Sequence, residues 1–259
     1  GLYAAVIPCA IAALAGSSRH VMSGPTNANS LALYAMLSPL AVAGSTRYVE
    51  MALAVTVMVG VIQLLVSLLR LGSLANFISP AALHGFTSGA ACLIAIYALR
   101  DLLGVAGDAH GAFAVLQAVV VQIAQAQPAN VAVGLVTLVV AAGLKSWNRR
   151  WPFMLLGLAS GTALAWALNR YAAAGVATVG AVPAALPPLH WPQVPWSSLP
   201  ELAGIAAVLS IVALAQAISI AKAVATRSGQ RIDPNREFLG QGLANVAGGF
   251  FSSYVSCGS

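Results

Sequence analysis

The sequence predicts an all-α polytopic membrane protein. Three observations carry that expectation. Hydrophobic residues make up 59% of the 259 residues and charged residues only 7%, whereas a soluble domain carries about a quarter charged residues. Mean hydropathy is +0.87. Apolar runs of about spanning length recur along the chain and are separated by short joints holding Arg, Lys, Gly and Pro.

Taken in order, Leu2–Gly16 makes about one helix, with Pro8 inside it. Gly24 and Pro25 break any helix entering from that side, and Pro25 suits the first turn of a new one, because its missing N–H has no intrahelical partner there. A half-helix is therefore expected from about residue 25 to about Val42, starting at membrane depth. The free N–H groups of Thr26, Asn27 and Ala28 then point into the interior with the positive end of the helix dipole behind them, which outlines an anion site. The alternative is a re-entrant turn or a Pro-capped helix packed on its neighbours.

Met51–Leu69 follows without a charge, and Arg70 closes it. After a joint at Gly72–Asn76, a span runs from about Ile78 to Arg100, with His84 as a proton relay or a hydrogen-bonded packing residue. Beyond the Gly104–Gly111 loop, Ala112–Ala126 reads as a surface-lying helix, and Asn130–Leu144 and Trp151–Leu168 as spans. Arg170–Pro200, rich in Ala, Gly and Pro, reads as a loop between two halves. Leu202–Ala223 is a span with Gln216 near its middle, and Phe238–Phe251 is a Gly-rich span suited to close packing.

Assigning the joints alternately to the two sides puts Arg19, Arg70, Lys145, Arg149, Arg150, Lys222, Arg227, Arg231 and Arg236 on one side, and Arg47, Arg100 and Arg170 on the other. The richer side is expected to be cytoplasmic. The net charge of +6 is scattered through these joints and forms no basic face for nucleic acid. Cys9, Cys92 and Cys257 lack disulfide or metal spacing and read as small apolar residues. His20, His84, His110 and His190 are scattered, and no Ser/His/Asp, metal-ligand or phosphate-loop constellation points to an enzyme or a cofactor. Neither end reads as a natural terminus, so the chain is expected to be a fragment of a longer protein.

Gly1-Leu2-Tyr3-Ala4-Ala5, Gly16-Ser17-Ser18-Arg19-His20 and Ser23-Gly24-Pro25-Thr26 resemble the signature region of the SulP sulfate permease family of anion transporters. The resemblance continues in order through Tyr48-Val49-Glu50, Leu69-Arg70-Leu71-Gly72, Gly85-Phe86-Thr87-Ser88-Gly89, Ala217-Ile218-Ser219 and Gly240-Gln241-Gly242-Leu243-Ala244-Asn245. It implies a partial 7+7 inverted-repeat transporter with core and gate domains and a half-helix at the substrate site. Residues 1–72 would be core, 73–170 gate helices, 171–200 an extracellular loop, and 201–259 the core part of the second repeat.

The function implied is secondary transport or exchange of small inorganic or organic anions by alternating access. Nucleobase transport on the same fold and an anion channel are the alternatives. Candidate substrate-binding residues are Gly24, Pro25, Thr26, Asn27, Ser30 and Ser259. Many members carry a Glu or Asp where this chain has Gln216, which makes that residue the candidate coupling position. The resemblance further implies residence in a cell membrane, most simply a bacterial inner membrane, a lipid bilayer as partner, and a homodimer in the full-length protein.

Overall fold

The computed structural model describes residues 2–72, 80–105, 112–148, 150–178 and 187–258. Ser259, the side chain of His84, and most of the expected Gly72–Asn76 and Gly104–Gly111 joints lie outside the described residues. The chain divides into two compact units, one made of Gly1–Ala91 with Ala184–Ser259 and the other of Cys92–Pro183.

The first unit contains helices α1 (Ile7–Ala15), α2 (Asn27–Leu37), α3 (Thr46–Leu68), α8 (Leu199–Ser228) and α9 (Pro234–Phe250), with a pair of three-residue strands, β1 (Ser23–Pro25) and β2 (Ser256–Gly258). Helix α4 (Pro80–Leu103) crosses the boundary between the units. Starts and stops follow local chemistry. Ser45 caps α3 by accepting the Tyr48 N–H at 3.2 Å, and Asp233 caps α9 by accepting those of Asn235 and Arg236. Gly229, at φ 69°, ends α8 in the left-handed conformation that glycine adopts without a Cβ penalty.

The apolar core is built at helical spacing. Met51, Val55 and Val59 on α3 meet Leu202, Ala206 and Leu209 on α8, with Leu33 and Leu37 of α2 and Val255 closing the cluster. Helix α9 packs along both α3 and α1. The α3–α9 crossing is backbone-close: a Cβ on Gly60 would stand 2.5 Å from the Val246 nitrogen, and one on Gly242 would stand 2.8 Å from the Leu64 nitrogen. Small residues are what let two helices approach this far without hydrophobic help from water.

The second unit contains α5 (Ala112–Gln122), α6 (Pro128–Trp147) and α7 (Phe153–Ala172). Helices α6 and α7 pack on each other, with Gly157 of α7 against Ala141 of α6. Leu135, Leu138 and Val139 of α6 and Met154, Leu155 and Leu158 of α7 face outward. These residues leave an apolar face exposed on this unit. Among the described residues, Thr46–Leu68, Pro128–Trp147 and Trp196–Thr226 are long and apolar enough to cross a membrane.

The expected Arg170–Pro200 loop is irregular over 173–178 and 187–195. Its later part is pinned to the first unit: His190 donates its backbone N–H to the Phe250 carbonyl at 2.7 Å, and its ring Nε2 lies 2.7 Å from Glu50 Oε1.

Candidate functional site

The two strands, more than two hundred residues apart in sequence, cross antiparallel, with Ser23 opposite Gly258, Gly24 opposite Cys257 and Pro25 opposite Ser256. Helix α9 grips both from one face. Gln241 donates its side-chain N–H to Ser23 Oγ in β1. Asn245, one turn on, accepts the Ser256 N–H at 2.8 Å and the Ser256 hydroxyl at 3.0 Å, and donates to the Ser256 carbonyl at 3.1 Å and to Gln63 Oε1 at 2.9 Å. All four hydrogen-bonding positions of a buried carboxamide are therefore used. Residues four apart on a helix share a face, so a single helix sets the register of both strands.

The half-helix starts later than the sequence reading placed it. Pro25 lies in β1, Thr26 is the cap with extended backbone, and Asn27 opens α2. The physical reason is that Thr26 supplies its own cap, its hydroxyl accepting the Asn29 N–H at 3.4 Å, while Pro25 needs no N–H partner at the end of a strand. Helix α2 ends at Leu37, and residues 38–45 turn toward α3. Among the described residues, the N–H groups of Asn27 and Ala28 carry no hydrogen bond. They sit at the positive end of α2, beside the strand crossing.

The Cys257 thiol donates to Gln216 Oε1 at 3.2 Å and lies 3.4 Å from Thr26 Oγ1. A cysteine that reads from sequence as a small apolar residue thus bridges the helix cap to the candidate coupling residue. Asn29, fully buried, sits beside the same thiol, and among the described residues its carboxamide makes no hydrogen bond of ordinary geometry.

Of the sequence-predicted residues, Gly24, Pro25, Thr26 and Gln216 come together at the crossing through Cys257. A Cβ on Gly24 would meet nothing within 4 Å. Asn27 is exposed at the first turn of α2. The Ser30 hydroxyl lies 2.8 Å from the Thr26 carbonyl and 3.0 Å from the Tyr254 hydroxyl. Ser259 is outside the described residues. Sequence reasoning missed Asn29, Gln241 and Asn245. The polar pair one turn apart on a Gly-rich span, Gln241 and Asn245, was the available signal.

A second polar junction lies where α1 runs out. Glu237, 4% exposed, accepts the backbone N–H and the hydroxyl of Ser17 at 2.7 and 2.8 Å, and the backbone N–H of Ser18. One carboxylate oxygen thus satisfies the donors of the two residues that follow the Gly16 cap of α1, and it anchors the approach to β1 on α9.

Two short strands paired beside the start of α2, both tied to α9, are irregular backbone inside a helical body, which membrane proteins tolerate where it is buried in protein or lines a cavity. The family model described as the sulfate permease family matches residues 1–259, and the chain belongs to that family. It is 31% identical to the probable sulfate transporter Rv1739c of Mycobacterium tuberculosis over 249 residues, covering 96% of this chain and 44% of the relative. It is 28% identical to sulfate transporter 4.1, chloroplastic, of Arabidopsis thaliana, covering all of this chain and 38% of that protein. The chain thus spans less than half the length of these relatives. Its structure is similar to the transmembrane domain of a cyanobacterium bicarbonate transporter, BicA, at a TM-score of 0.86 and 26% identity, covering 100% of this chain and 66% of that one. The fold is shared with the murine Slc26a9 anion transporter in its inward-facing state, also at a TM-score of 0.86, with 20% identity over 46% of that chain.

Proposed function

We propose that this chain forms part of the membrane body of a secondary transporter or exchanger of small anions working by alternating access, with the anion held at the β1–β2 crossing. The observation that carries the reading is that, among the described residues, the Asn27 and Ala28 N–H groups at the positive end of α2, beside the β1–β2 crossing, carry no hydrogen bond. Partial charges of this kind hold an anion in a low-dielectric site without a lysine. Gly24, Pro25, Thr26, Asn27, Ser30 and Ser259 are the substrate-binding residues of this proposal, and Gln216 is the coupling position.

The names of the relatives, sulfate and bicarbonate transporters, favour small oxyanions as substrates. In this reading residues 1–72 and 201–259 form a core body and residues 73–170 a gate body that move relative to each other during transport, while the two compact units of the chain divide at Ala91 and Ala184. A bacterial inner membrane and a homodimer of the complete protein belong to the same reading. The test is uptake of labelled sulfate, bicarbonate, chloride, nitrate and dicarboxylates into liposomes carrying the complete protein. Saturable uptake of at least one, weakened by substitutions at Thr26 and Asn27, is expected. Uptake indifferent to both positions would overturn the site.

A further inference from the structure

At the end of the first unit that the charge bias places in the cytoplasm, the α1–β1 segment and the α8–α9 loop enclose a cleft of about 520 Å³. Arg19, His20, Arg231 and Arg236 line it, together with Ser17 and Gln230. Its volume falls within the range of about 300–1,000 Å³ usual for small-molecule sites.

The acids next to this cleft are already engaged. Glu237 is taken up by Ser17 and Ser18. Asp233 accepts the N–H groups of Asn235 and Arg236 at the start of α9. Among the described residues, Arg19, Arg231 and Arg236 make no salt bridge. Arg19, Arg231 and Arg236 therefore line one cavity with no salt bridge to any described residue.

The walls are fixed independently of any ligand. Gln230 accepts the Arg19 backbone N–H at 3.3 Å and donates to the Ser17 carbonyl at 3.0 Å. The Ser17 hydroxyl accepts the Asp233 N–H at 3.2 Å. Charges placed only to orient a helix in the membrane need not converge. These converge from two segments more than two hundred residues apart, on a scaffold held by the hydrogen bonds of Gln230 and Ser17 to the backbone.

We infer that this cleft binds a phosphate ester dianion, separately from the transport site. Guanidinium forks match the tetrahedral oxygens of phosphate, and the cavity leaves room for the ester substituent. The source is either the headgroup of an anionic lipid in the adjoining leaflet or a soluble phosphorylated compound.

The experiment uses the complete protein in nanodiscs of pure phosphatidylcholine, with radiolabelled inorganic phosphate as probe, and in nanodiscs of four parts phosphatidylcholine to one part phosphatidic acid, with retained phosphatidic acid counted by mass spectrometry. Saturable phosphate binding or selective retention of phosphatidic acid is expected, weakened roughly tenfold or more in an Arg231→Gln/Arg236→Gln variant, which loses two charge-assisted forks. An Arg231→Lys/Arg236→Lys variant keeps the charge and should retain part of the binding, which separates lost recognition from lost folding. Phosphate binding displaced by phosphatidic acid assigns the cleft to headgroups, and undisplaced binding assigns it to soluble esters. Asn27→Asp should leave this binding intact even where it alters anion uptake, so failure of the transport reading and failure of the cleft are distinguishable. Absence of both signals, equal signals in wild type and the Gln variant, or loss with Asn27→Asp alone would overturn the proposal.

Discussion

Asn245 holds Ser256 as a neighbouring strand would, accepting its backbone N–H at 2.8 Å and donating to its carbonyl at 3.1 Å. A three-residue strand inside a helical body has only one strand to pair with, so a side chain must supply the other edge. The partner strand is secured in parallel by Gln241, one turn earlier on the same helix. The crossing is therefore a rigid feature built from α9.

Replacing Asn245 with Leu should test that rigidity. The substitution strands the Ser256 N–H and the Gln63 carboxamide in a buried setting, at about 1–3 kcal/mol for each unsatisfied group. A clear fall in thermal unfolding temperature is expected in detergent, together with loss of anion uptake. Unchanged stability would mean that the strand is held by other contacts.

Asn27→Asp separates folding from transport. A carboxylate at the first turn of α2 favours the helix dipole and should leave the fold as stable or improve it by about 0.3–1 kcal/mol. The same charge repels an anion at that helix end, so uptake should fall strongly, whereas Asn27→Ala should be milder. Small, equal effects of both substitutions on uptake would place the residue outside the anion path.

Gln216→Glu puts an ionisable group where Cys257 now donates a hydrogen bond. A buried carboxylate is costly unless a proton or cation compensates it. The variant should acquire dependence on a proton or sodium gradient that the wild-type protein shows weakly. Wild-type uptake that already collapses without either gradient would make Gln216 a structural residue, linking α8 to β2 through the thiol.

Two glycines predict opposite outcomes. Gly60→Ala drives a methyl into the Val246 backbone across the α3–α9 crossing, where a Cβ would stand at 2.5 Å, and should destabilise the protein by about 1–3 kcal/mol through overpacking. Gly24→Ala meets no atom within 4 Å and should fold normally. Reduced anion affinity in a normally folded Gly24→Ala protein would show that the open space beside Gly24 belongs to the substrate.

The segment 187–193 is held by Glu50, whose two carboxylate oxygens take the His190 ring and the Gln193 N–H, each at 2.7 Å. Trp191 adds a ring contact to Phe250 at 4.9 Å between centroids. Glu50→Ala should release both contacts, and hydrogen exchange should show lost protection at Gln193 while the His190 amide, bonded to Phe250, is affected less. Equal protection in both proteins would assign the hold to the backbone bond and Trp191.

The sequence by itself determined the membrane class, the order of the apolar helices and the break at Gly24-Pro25. Hydropathy, helix-breaking residues and charge bias are local properties that each segment carries without knowing its neighbours. It also determined family membership through a series of short motifs in order. What only the tertiary structure decided is who meets whom. The pairing of Gly24 with Cys257, the grip of Gln241 and Asn245 on the two strands, the seating of Ser17 and Ser18 on Glu237 and the gathering of Arg19 with Arg231 and Arg236 all join residues from distant parts of the chain. Even the start of α2 shifted from Pro25 to Asn27, because a strand partner at Ser256 competed with the helix for the backbone at Pro25. Periodicity reports which face of a segment is apolar. Hydrogen bonds between buried polar groups are satisfied by whichever partner the fold delivers, and that partner has no signature at any fixed spacing.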